Sequence, residues 1–103
     1  MPGYRLVWFV PRAALDATRE AVFAAGAGVI GEYTHCSFYT EGTGTFLGGE
    51  GTSPSVGRAG REERVAELRV ETVVPVDRRD AVVAALVAAH PYEQVAFDLY
   101  PLA

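Results

Sequence analysis

The chain has no lysine, a single cysteine and no apolar run of membrane length. Each absence excludes something. One cysteine, Cys36, cannot build an internal disulfide framework. Without a run of about twenty apolar residues there is no candidate transmembrane helix. With no signal-like leader either, the expected location is the cytoplasm. All nine basic residues are arginine and face thirteen acidic ones, for a net charge of −4. That balance argues against nucleic acid and against an anionic membrane surface as partners. The arginine-only usage fits a GC-rich genome better than a specialised phosphate binder. No internal repeat or block of like charge is visible.

What is present is 103 residues, half of them hydrophobic, which predicts one domain over residues 1–103. A chain this small buries only about two-thirds of its unfolded surface, so self-association would add useful burial.

The elements follow from periodicity. Tyr4 to Val10 predicts a strand, with Leu6, Trp8 and Val10 on one face and Val7 and Phe9 on the other. Apolar residues on both faces predict a central strand covered on both sides. Pro11 to Ala25 predicts a helix with a buried stripe of Leu15, Thr18, Val22 and Ala25. Tyr33 to Thr40 predicts a second strand. Cys36 and Phe38 form its apolar face; Tyr33, His35, Ser37 and Tyr39 form a polar-aromatic face expected on the open side of the sheet. Gly42 and Gly44 suggest a bulge or twist in its continuation. Residues 47 to 61 predict a long loop. Glu63 to Val74 alternates regularly and predicts a third strand, with Glu67, Arg69 and Glu71 sharing one face. Val76 and Asp77 are expected to cap a second helix, Arg78 to Ala89, with Val82, Ala85, Leu86 and Ala89 buried. Val95 to Tyr100 predicts the last strand.

Gly26-Ala27-Gly28-Val29-Ile30-Gly31 matches the G-x-G-x-x-G pattern of dinucleotide sites. That pattern must follow a strand and open a helix, and here a helix ends and a strand follows. It predicts a helix cap and turn. The Gly-rich loop lacks the Gly-Lys-Ser/Thr ending of a phosphate loop, although Arg58 and Arg61 are candidate anion contacts.

The order β-α-β-β-α-β with right-handed crossovers predicts an α+β, ferredoxin-like fold: a four-stranded antiparallel sheet with two helices on one face. The other face would be left open, and its apolar residues predict burial through self-association.

Chemistry concentrates in His90-Pro91-Tyr92-Glu93, a corner between the second helix and the last strand. Proline forces the residue before it out of the helical region, so the helix ends there. His90, Glu93, His35 and Cys36 are the candidate metal ligands, of a type that suits zinc or copper. On an unbroken strand His35 and Cys36 point to opposite faces, so only one could join His90 and Glu93. The plainer account makes Cys36 a small core residue and His90 a hydrogen-bonded helix end. It is favoured because no close-spaced ligand pair is present. Tyr92, Arg58, Arg61 and Tyr33 are candidate ligand-binding residues, and no catalytic residue is assigned.

The series Ala25-Gly26-Ala27-Gly28, Gly31-Glu32-Tyr33, Cys36-Ser37-Phe38, Gly42-Thr43-Gly44-Thr45-Phe46, Gly57, Glu63, Glu67, Glu71 and His90-Pro91-Tyr92-Glu93 resembles the insert domain of the Nif-three-like (YqfO-type) proteins, here expected to stand alone. That insert is similar in fold to the CutA and PII proteins. CutA proteins also carry a His-Pro-Tyr-Glu-like corner. The resemblance implies a homotrimer that binds a small molecule or a metal at clefts between subunits, near the corner and the Gly-rich loop. It implies a regulatory or binding module. Copper or zinc binding at the corner is one alternative, and metal-dependent hydrolysis by analogy to the parent family is another. Gln94 and Val95 depart from the family's usual glutamate and proline, which removes one carboxylate from any metal site. The parent family's dinuclear metal site belongs to flanking domains, so its hydrolase label does not transfer to these residues.

Overall fold

The computed structural model describes residues 3–51 and 57–103. Residues 52–56 of the expected loop lie outside that range. The element order is β1 (Tyr4–Val10), α1 (Leu15–Ala24), β2 (Ser37–Leu47), β3 (Glu62–Val74), α2 (Arg79–Ala89) and β4 (Phe97–Pro101). The four strands form one antiparallel sheet in the order β2-β3-β1-β4. The fold is the ferredoxin-like βαββαβ arrangement that the order of elements predicts.

The core lies between one face of the sheet and the helices. Leu6, Trp8 and Val10 of β1 and Val70 and Val74 of β3 are buried there, with Leu15 and Val22 of α1 and Val82 and Leu86 of α2. Each such side chain contributes about 1.5–3 kcal/mol through removal from water. One polar pair is buried with them. The Trp8 indole N–H donates to the Thr18 hydroxyl at 3.1 Å, and that hydroxyl donates back to the carbonyls of Ala14 and Leu15 at 3.0 Å. Thr18 thus fills a core position while meeting the one donor that Trp8 carries into the interior.

Several boundaries differ from the periodicity. Short 3-10 turns at Arg12–Ala14 and Val76–Arg78 precede both helices. Each follows a proline in extended conformation, and no side chain caps α2, so the expected Asp77 cap is not made. Gly42 and Gly44 introduce no bulge: β2 and β3 pair residue for residue from Ser37↔Thr72 to Leu47↔Glu62. The last strand begins at Phe97 instead of Val95.

The largest difference is at the start of β2. Ile30 and Tyr33 exchange both backbone hydrogen bonds, each at 2.9 Å, around Gly31 and Glu32. Gly31 takes a φ of 59°, which a two-residue turn of this kind requires. His35 also has a positive φ, 58°. Tyr33 to Cys36 are therefore spent on a small hairpin and its return. The inference that His35 and Cys36 point to opposite faces of a strand does not apply.

Residues directly opposed across a ladder share a face. The register puts Phe38 with Glu71 on the open side, and Tyr39 with Val70 on the helix side. This reverses the expected facing of β2. Tyr39 lies under the Arg19 guanidinium, 5.8 Å from its ring centroid. The centre of the open face is also less bare than the β1 pattern suggests. Val7 is only 1 % exposed, and the Arg69 guanidinium lies 5.7 Å from the Phe9 ring. Among the exposed large apolar residues, Val29, Ile30, Tyr33, Phe38 and Tyr100 gather at one end, while Leu47 lies at the far end of β2 and Tyr39, Val76 and Val87 lie elsewhere.

β2 and β3 outrun their neighbours. β1 pairs only with Leu68–Val74 of β3, so the stretch from Glu62 to Glu67 pairs with β2 alone. The hairpin forms an arm in a molecule of 46 × 24 × 24 Å. Gly60 donates to the Gly48 carbonyl at 2.7 Å and closes the base of the loop at its tip.

Candidate functional site

The corner after α2 is closed by its own residues. His90 is extended, with φ −78° and ψ 140°, as the following proline demands. Its backbone N–H makes the last helical bond, to Leu86, at 3.0 Å. Its ring is buried and used on both sides. The Tyr92 backbone N–H donates to Nδ1 at 3.1 Å. Nδ1 is therefore an acceptor, and Nε2 carries the proton that it donates to the Phe9 carbonyl at 2.6 Å. The imidazole joins the end of α2, the end of β1 and the start of the corner.

Tyr92 extends this link to the arm. Its ring meets the His90 ring edge to face at 4.9 Å. Its hydroxyl donates to Glu67 Oε2 at 2.8 Å. The Glu67 carboxylate lies across β2 at Gly44, where any Cβ would overlap it. Glycine there serves a close approach of another group, not a bulge. Burial pushes the Tyr92 phenol above its ordinary value of 10, and its bond to Glu67 and the repulsion between a phenolate and that carboxylate push it further.

The folded chain holds the phenolic proton more tightly than the unfolded chain does. The stabilisation is therefore complete below about pH 10 and is lost as pH rises through the higher folded value. Tyr92→Phe should cost about 1 kcal/mol at pH 7. The gap between wild type and variant should narrow as urea unfolding is repeated at increasingly alkaline pH. A gap that holds constant across that range would show that it does not come from the phenolic proton held against Glu67.

Beside the Tyr92–Glu67 bond, on the open face, lies a cavity of about 450 Å³. Phe9, Phe46 and Ala96 give it apolar walls; Thr40, Glu67 and Arg69 give it polar ones; Gly42 and Gly44 leave it room. A second hollow of about 400 Å³ lies on the other side of the arm, where Arg12 of the first 3-10 turn pairs with Glu41.

The candidates named from sequence are scattered over three places. His90 and Tyr92 meet in the corner, and Glu93 follows them on the surface. His35 and Cys36 lie on the return from the small hairpin. The His35 ring rests edge-on against Phe23 at 4.8 Å, and the Cys36 thiol faces the Thr34 carbonyl at 3.8 Å. Tyr33 is 75 % exposed on that hairpin. Arg58 and Arg61 are exposed beside the loop, and Arg61 pairs with Glu63 at 3.0 Å. Among the described residues no three or more His, Cys, Asp or Glu side chains are grouped as a metal would need. Both His90 nitrogens face main-chain partners, so the chemistry open to the corner is tethering. Sequence reasoning missed Glu67, Gly44 and Arg69 as site residues. The signal was available only in combination, since Glu67 and the two glycines meet once the β2–β3 register is known.

No family model matches the chain. A protein of Halalkalibacterium halodurans named GTP cyclohydrolase 1 type 2 homolog is 52 % identical over 100 residues, which cover 97 % of this chain and 27 % of that protein. The chain spans about a quarter of the length of the curated relatives it matches. Among solved structures, a Bacillus cereus protein related to NIF3 is 46 % identical with a TM-score of 0.84, over 98 % of this chain and 26 % of that one. The periplasmic divalent cation tolerance protein CutA of Archaeoglobus fulgidus has a TM-score of 0.69 at 12 % identity, over 99 % of this chain and 84 % of its own. GlnK of B. subtilis has a TM-score of 0.64 at 11 % identity, over 100 % and 87 %. The last two likenesses are of fold alone. Among the described residues no helix is long and apolar enough to cross a membrane.

Proposed function

We propose that this chain, a homologue of one quarter-length segment of the NIF3-related proteins with a CutA- and PII-like fold, is a homo-oligomeric binding or regulatory module. Its ligand site is the open-face cavity beside the Tyr92–Glu67 bond. The observation that carries this reading is the pairing of a hollow on the open face with apolar side chains left in water at one end of that face. A hollow of this size with apolar walls and a few polar groups suits a small molecule. The apolar end suits burial against further copies.

The corner fits a binding role better than a reactive one. Its histidine has no free nitrogen, and its tyrosine is held protonated against Glu67. The histidine so tied positions its neighbours and has no lone pair left to attack or to bind a metal, and the tyrosine spends its proton on Glu67. It fixes the floor of the cavity through Glu67. The number of copies suggested by the PII and CutA resemblance is three.

Sedimentation velocity across micromolar concentrations tests the assembly. The expected result is a discrete oligomer, a trimer on this reading. A monomer throughout that range would overturn it.

A further inference from the structure

The small hairpin before β2 is built to stand out. Its base is pinned to β3: Gly28 donates to the Val73 carbonyl at 2.8 Å, Cys36 donates to the Gly28 carbonyl at 2.9 Å, and the Thr72 hydroxyl donates to the Cys36 carbonyl at 2.7 Å. Its tip is closed by the two Ile30–Tyr33 bonds. On this rigid frame Ile30 and Tyr33 are 56 % and 75 % exposed. Apolar side chains held in water by an ordered backbone have already met the ordering cost that binding would impose.

We infer that this hairpin is a knob that seats in the open-face cavity of a second copy of the chain. The inference rests on the homo-oligomer reading above and deepens it, with the hairpin of a second copy taking the place of a small molecule as the occupant of that cavity. Three observations name the second copy as the occupant. First, knob and hole lie on one chain and cannot meet within it. The knob adjoins Ser37, the hole centres near Gly44, and seven residues of strand separate them by roughly 24 Å. Second, the surfaces match in kind: Ile30 and Tyr33 face walls formed by Phe9 and Phe46, and Glu32 at the knob's tip meets Arg69 at the rim. All three charged groups on that rim already have partners on their own chain, Glu41 with Arg12, Glu67 with Tyr92 and Arg69 with Glu71 at 3.2 Å, so Glu32 meets Arg69 in competition with Glu71. Third, the knob runs on into the open face, since Ile30 and Phe38 line one small hollow with Val73. A contact between two different patches is head-to-tail, and repeated around an axis it closes into a ring.

Knob-in-hole contact makes a demand that contact through any other surface does not. Ile30→Ser/Tyr33→Ala removes the knob and keeps the hole. Gly42→Trp fills the hole and keeps the knob. Gly42 has open space around its Cβ position and no positive φ, and Thr40→Trp is a second route to the same block. Each variant alone should be monomeric where the wild type is an oligomer, with unchanged far-UV circular dichroism. Mixed, they should form a 1:1 heterodimer and stop there, because one intact knob meets one intact hole. Two monomers that fail to pair on mixing would overturn the inference. So would variants that assemble like the wild type, and that outcome would leave self-association standing. A monomeric wild type would overturn both readings.

Discussion

Trp8→Ala is expected to remove a large share of the fold's stability and to lower its melting temperature steeply. Trp8 is fully buried at the middle of β1, with Val70 and Phe97 opposite it on the two flanking strands. Truncating a buried tryptophan costs about 3–5 kcal/mol. Domains of this size have roughly 5–15 kcal/mol in all. The loss also removes the donor that meets Thr18, although that hydroxyl keeps its bonds to Ala14 and Leu15. Trp8→Phe keeps most of the apolar area and drops the indole N–H, and should cost about 1–2 kcal/mol. Thermal melts followed by far-UV circular dichroism would read both, since the chain has one tryptophan and fluorescence is lost with it. The expected fall for Trp8→Ala is roughly 15–30 °C. A fall within about 5 °C would mean that this core does not hold the sheet to α1.

The contrast between β1 and β2 shows what a sequence of this kind discloses. Leu6, Trp8 and Val10 are large, apolar and two apart, and only a strand over a helical layer satisfies that spacing. Leu68, Val70, Thr72 and Val74 repeat the pattern and are buried as it predicts. In β2 the period of two separates Phe38 from Tyr39 but does not say which of them faces inward. Register decides that, and register depends on a partner strand some thirty residues away. Tyr33 to Cys36 has the composition of a strand, yet Ile30–Tyr33 pairing and two positive φ values make it a turn. The backbone bonds that hold this turn to β3 outweigh local propensity.

The site divides in the same way. His90-Pro91-Tyr92 marks a corner because proline's restriction is local. The groups its ring would meet are not local. Phe9 is 81 residues away and Glu67 is 25 residues from Tyr92. Gly44 shows the limit most plainly. A strand glycine marks either a bulge or a close approach, and only the Glu67 carboxylate lying across it selects the second.

His90→Ala should destabilise the metal-free protein by about 2–4 kcal/mol, and metal should not restore it. The ring is 7 % exposed and carries two hydrogen bonds to main-chain groups. Each bond contributes about 1 kcal/mol, and leaving the Phe9 carbonyl and the Tyr92 N–H short of partners adds to the loss. The variant also frees the start of the segment that leads into β4 and loosens the Tyr92–Glu67 link. Its effect should therefore exceed that of Tyr92→Phe. A metal-ligand role makes the opposite forecast. A ligand histidine would matter little in chelator and strongly with zinc or copper, because a bound metal stabilises only the state that holds it. Urea unfolding of wild type and His90→Ala, in chelator and then with each metal, separates the two. Equal stability in chelator, with a gap that opens only on adding metal, would replace the tether by a ligand. A gap of the same size under all three conditions leaves His90 as the residue that ties α2, β1 and the corner together.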